Sequence, residues 1–126
     1  MKTNALRTAM RNLLYQGVAY TPPTQWWMSV YSTDPGSGLS DAIPLLSNRV
    51  AITGWQNVGD YSCSNSNLVE LTNNTGNIIT LSYFSIHDAQ TGGRTLHYGR
   101  FNPTFILGVN EVFSIPPGSI TVVFKS

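Results

Sequence analysis

The chain has 126 residues, seven Lys and Arg against six Asp and Glu, and a formal charge of +1. That length is one domain's worth with room for a real core, and the near-neutral balance argues against nucleic-acid binding, which concentrates Lys and Arg on one face. Charged residues are 10% of the chain and Ser, Thr and Asn together number 37, so the surface is polar with little self-repulsion to keep copies apart. Two origins fit such a surface: a Ser/Thr-rich skin facing water, or a surface lying against other subunits, where charge would be costly to desolvate.

Residues 4–16 carry Leu6, Met10, Leu13 and Leu14 at helical spacing, with Asn4 or Thr3 to cap the first turn and Gly17 to stop the last. A helix this short must dock its apolar stripe on its own domain or on a partner. Arg7 and Arg11 divide the apolar residues of the first turns, so the segment does not read as a signal peptide. No later stretch approaches a membrane span. Synthesis in a cytoplasm and no membrane partner are expected.

Pro22-Pro23 forces an extended approach to a strand at Gln25–Ser32, where Trp26, Met28 and Val30 alternate with Trp27, Ser29 and Tyr31. The run 34–38, Asp-Pro-Gly-Ser-Gly, is a turn by composition, and 37–48 reads as an exposed loop. Arg49–Thr53 is a short strand. The polar stretch 54–67, with Trp55, Tyr61 and Cys63, reads as irregular, and Leu68–Leu71 as a strand ended by a polar turn.

Ile78–Phe101 is the best-specified segment, a hairpin closed by Asp88-Ala89-Gln90-Thr91-Gly92-Gly93. Its glycines can take positive φ, and Asp88 can bond forward into the turn. Both faces of its first strand are apolar, which places that strand centrally or between the core and another subunit. Short strands at 105–107 and 112–115 follow, and Pro116-Pro117-Gly118-Ser119 turns the chain into 120–124. About eight strands with turns at roughly ten-residue intervals predict an all-β antiparallel sandwich. The expected organisation is one domain, with a helical segment at 1–17 and the sandwich over 18–126.

No catalytic grouping is visible. The six acids are isolated in sequence, and Asp34, Asp41 and Asp88 sit in turns where capping explains them. His87 and His97 are placed to oppose each other across the hairpin, either as half-exposed filler or as a pair able to bind a metal or sense pH. Cys63 is the only cysteine, so no intrachain disulfide forms and no zinc site is expected, and nothing near it in sequence activates the thiol. Asn73-Asn74-Thr75 matches a glycosylation sequon of no weight. Trp26, Trp27, Tyr31 and Trp55 supply either core aromatics or a platform for sugars. A non-enzyme without cofactors is expected.

In order and content the segments GVAYTPPTQWWMSVYSTDP, FSIHDAQTGGRTLHYG and VFSIPPGSITVVF, preceded by the amphipathic helix, resemble a family of small virion proteins of tailed bacteriophages, which includes capsid decoration (cement) proteins and tail- or head-fibre proteins. The stretch LLSNRVAITGW and the loop at 56–67 depart from the family pattern. The resemblance implies a jelly-roll-like sandwich and a structural role at the capsid surface of the virion. There a cement protein clamps the major capsid protein at capsomer junctions, and self-association as a dimer or trimer suits a symmetric shell. Candidate contact elements are the helix, Val18–Gln25 and the loops at 33–48 and 54–67, with Leu6, Met10, Leu13, Tyr20, Trp27, Trp55 and Tyr61 as contact residues. The alternative is a tail-fibre or adhesion protein binding host-surface carbohydrate.

Overall fold

The computed structural model describes residues 2–19, 23–35 and 43–123. Tyr20, most of the predicted 34–38 turn and the end of the last predicted strand lie outside them. The helix α1 spans Asn4–Tyr15, and Thr3 caps it by accepting a hydrogen bond from the Leu6 amide. Gly17, at φ +68°, ends it, with the Val18 amide reaching back to the Asn12 carbonyl.

Among the described residues nine strands follow: β1 (Trp26–Tyr31), β2 (Val50–Ile52), β3 (Trp55–Val58), β4 (Ser62–Asn65), β5 (Val69–Thr72), β6 (Ile79–His87), β7 (Thr95–Leu107), β8 (Val112–Ile115) and β9 (Thr121–Val123). They form sheets in the orders β2-β1-β6-β7, β3-β4-β9 and β5-β8, and their pairings are antiparallel. The largest sheet packs its inner face against the other two, giving the all-β sandwich expected from the strand pattern. Met28, Ile52, Leu81, Ile86, Leu71 and Val122 anchor the shared core.

Three expectations are corrected. The stretch 54–67 is not irregular but contains the β3–β4 hairpin, turned by Gly59 at φ +67°. Its strands were hidden because few of their residues are apolar: Trp55 and Cys63 turn inward, while Gln56, Asn57 and Val58 are exposed. The loop at 37–48 is not wholly exposed, since Leu46 is buried in the core. Residues 101–107 are the second half of β7 rather than a separate strand.

The central position of β6, between β1 and β7, matches expectation, but its two apolar faces have another cause. The β6–β7 register shifts between Leu81 and Tyr83. Ile79 and Leu81 face the core before the shift, and Phe84 and Ile86 face it after. One core thus receives side chains of both parities, as a bulge permits. Opposite the shift, β7 accommodates Asn102 to Thr104 around a cis Asn102–Pro103 peptide.

The hairpin tip forms as predicted. Gly92 and Gly93 take φ +64° and +67°, and Asp88 Oδ1 accepts from the Arg94 amide at 2.6 Å. Arg49 secures the tip from β2's side, donating to the carbonyls of Ala89 and Gly92 at 2.8 and 2.9 Å. At the start of β7, the Thr3 amide donates to the Leu96 carbonyl at 2.9 Å and its hydroxyl to the Thr95 carbonyl, tying α1 to the sheet.

Candidate partner-binding surface

The hydrogen-bonded side-chain clusters of the described residues serve the fold. On the outer face of the largest sheet, Tyr31 Oη, Ser85 Oγ and His87 Nε2 form a chain with contacts of 2.8 and 2.7 Å, and His87 Nδ1 meets Thr95 Oγ1 at 2.9 Å. A serine on a histidine is the contact of a nucleophile and its base. Here Ser85 is fully buried, its hydroxyl is shared with Tyr31, and a threonine hydroxyl stands where an orienting carboxylate would be. No substrate reaches that oxygen, and the chain of contacts instead locks β1, β6 and β7 together.

His87 and His97 do not oppose each other. A second register shift pairs His87 with Thr95 and Ile86 with His97, so the two rings lie on opposite faces. Both are buried rather than half-exposed. Burial lowers each pKa to about 4, assisted at His87 by the positive charge of Arg49 and at His97 by that of Lys2. Among the described residues no group of three or more His, Cys, Asp or Glu side chains could hold a metal ion. Burial raises the Cys63 thiol pKa, which keeps it protonated and unreactive.

Two buried asparagines act as internal staples. Asn65 Nδ2 donates to the carbonyls of Asn67 and Pro116, and its Oδ1 accepts from the Ile120 amide. Asn73 Nδ2 is placed on the carbonyls of Asn77, Leu107 and Gly108 at 2.7, 3.1 and 2.9 Å, while Oδ1 accepts from Thr75. With 0% of Asn73 exposed, its sequon match is no glycosylation site.

The aromatic residues divide in a way alternation only half revealed. Trp26 and Trp55 meet edge to face, with ring centroids 6.3 Å apart, and both pack on the core. Tyr31 is buried and Trp27 half-buried, so these four make no exposed platform for a sugar. Trp55, expected at a contact surface, is instead turned inward beside Cys63, and its buried Nε1 has no hydrogen-bond partner among the described residues.

The remaining predicted contact residues are dispersed. Leu6 is buried, Met10 half-buried and Leu13 exposed on α1, while Tyr61 is exposed at the β3–β4 turn. They do not converge on one site.

A surface that the sequence reading missed does converge. A groove of about 570 Å³ opens where the second half of β7 meets β8. Phe84, Phe101, Phe105 and Phe113 line it as a chain of edge-to-face rings, with centroid separations of 5.5, 5.9 and 4.6 Å along the series 84–101–113–105. Gly99 makes the packing possible, because a Cβ there would come within 2.8 Å of the Phe84 ring. Ile106, 75% exposed, and Val112, 51% exposed, form an apolar rim. Arg100 and Glu111 supply its charges.

Residues 1–123 match the family model described as podophage GP4 fiber I protein gp80. The chain belongs to that family. No curated protein matches it. Family membership makes the chain a structural protein of a bacteriophage virion, in keeping with the resemblance carried by its central and closing segments. No helix among the described residues is long and apolar enough to cross a membrane.

Proposed function

We propose that the chain is a non-enzymatic assembly protein of the podophage particle, acting by adhesion to neighbouring virion subunits. The phenylalanine-lined groove with its exposed aliphatic rim carries this reading. Clustered apolar surface of this kind on a soluble fold marks a protein-contact site. The buried Ser–His pair, the two histidines on opposite faces and the protonated thiol fit a scaffold rather than a catalyst.

The finer reading is a capsid cement protein that clamps the major capsid protein at capsomer junctions, where repeated weak contacts add by avidity. The description of its family supports a second placement, within a fibre of the podophage. Cryo-microscopy of purified particles separates the two: density across the shell lattice supports cement, density confined to fibres supports the second placement, and absence from mature particles refutes both. Host-glycan binding rests on no exposed aromatic platform at the predicted cluster, and silence on a glycan array is the expected result.

A further inference from the structure

We infer that copies of this chain associate head to tail, the last turn of α1 from one copy seating in the phenylalanine-lined groove of the next. This inference rests on the assembly role proposed above and names the partner of its groove.

The two surfaces are each incomplete and match in chemistry. Only Leu6 of α1 is buried, whereas Leu13 and Leu14 are 46% and 67% exposed on the same helix. Val18, just past the Gly17 stop, is exposed as well. A short amphipathic helix gains most of its stability by burying its apolar stripe, and here half of that stripe faces water. The groove presents the reverse: four phenylalanines below an open aliphatic rim. A helix laid in a groove, reading out residues three and four apart, is a recurring recognition mode.

Charge favours the same pairing. Residues 2–19 carry Lys2, Arg7 and Arg11 and no acid, and Arg11 stands about one turn before Leu14 on the helix surface. Glu111 lines the groove, and Glu70 pairs across the β5–β8 ladder with Ser114, itself a groove residue. Against these two acids the described residues lining the groove supply one cation, Arg100.

The helix cannot fill its own groove. Thr3 holds the start of α1 at Leu96 with its chain antiparallel to β7, so the helix leads toward Arg94 at the hairpin tip, and the rim at Ile106 lies roughly 20 Å away in the opposite direction. A helix of 12 residues spans only about 18 Å. The occupant therefore comes from another copy, and the contact joins two different patches. Such a heterologous interface closes into a ring or continues as a filament.

The test uses the full chain and sedimentation velocity over a wide concentration range. Wild type is expected to show mass rising with concentration. Leu14→Glu and Ile106→Glu, both at exposed positions, are each expected to weaken self-association by at least about tenfold while retaining the native circular dichroism spectrum. Mixed together, they regain one contact, because one variant keeps an intact groove and the other an intact helix, and the mixture stops at heterodimers. Arg11→Glu and Glu111→Arg are each expected to weaken association, and the double reversal to restore it. A wild-type chain that stays monomeric throughout, a Leu14→Glu chain that associates like wild type, or variants that fail to complement each other overturns the inference. If wild type is monomeric yet present on purified particles, the inference fails and the assembly role stands. If it associates as described but is missing from particles, the assembly role fails and the self-contact stands.

Discussion

Replacing Asn73 with alanine tests whether buried polar staples, rather than the thin apolar core alone, hold the loop end of this sandwich. The amide joins the end of β5 to the end of β7, and backbone bonds from the Asn73 amide to the Glu111 carbonyl and from the Asn110 amide to the Asn73 carbonyl continue the link to the β7–β8 turn. Alanine keeps those backbone bonds and removes only the side chain. The bond to the Leu107 carbonyl is fully buried, so stranding that acceptor costs about 2 kcal/mol. The bonds to Asn77, Gly108 and Thr75 are partly buried, where water replaces some of the loss, and together they contribute roughly 2 kcal/mol more. The total of about 4 kcal/mol corresponds in a domain of this size to a drop in Tm on the order of 15 °C. Differential scanning calorimetry on the full chain measures it. A drop below about 4 °C would refute the staple. Asn73→Asp supplies an internal control. Its carboxylate would face three carbonyls, so its folded-state pKa is raised; stability is retained below the unfolded pKa of about 3.9 and lost as pH rises through the folded value.

Because burial lowers His87 and His97 from 6.5 to about 4, the unfolded chain binds their protons first on acidification. Stability should be level above 6.5 and fall progressively toward about 4, and urea titrations across that range should show a shallower decline in a His87→Gln, His97→Phe variant. Gly93→Ala should destabilise more than Gly92→Ala in thermal melts, since both have positive φ but only at Gly93 would the new Cβ lie 2.5 Å from Asp88 Oδ1 and 2.7 Å from Ala89 Cβ; equal effects would contradict the packing at the tip. Thr3→Ala should cost about 1 kcal/mol through the lost cap and further loosen the tie to Thr95, with Thr3→Ser recovering much of it; hydrogen exchange at the α1 amides reports the change. Cys63 should react with a thiol reagent more slowly in the native protein than in denaturant, as its partial burial and raised pKa imply.

The features legible in sequence are those fixed by near neighbours. The helix was readable because Leu6, Met10 and Leu13 repeat at its own period and Thr3 and Gly17 mark its ends. The β6–β7 hairpin was readable because Asp88 and the two glycines specify its turn locally. The β3–β4 hairpin was not, since Gln56, Asn57, Ser62 and Ser64 lack a strong apolar alternation, and its strands are stabilised by Trp55 and Cys63 meeting a core built elsewhere. The groove was invisible for a related reason: Phe84, Phe101 and Phe113 come from three different strands, and nothing in their sequence spacing brings them together.

Alone, the sequence determined the class of the fold, its best hairpin, the capped helix and the absence of an obvious run of catalytic residues, because periodicity, turn chemistry and capping act over a few residues. The tertiary structure decided which faces are used. One register shift between β6 and β7 sends both parities of β6 into the core, a second puts His87 and His97 on opposite sides of the sheet, and strand pairing gathers distant phenylalanines into a groove. A strand's neighbours, rather than its own residues, set its register, and register sets where every side chain points.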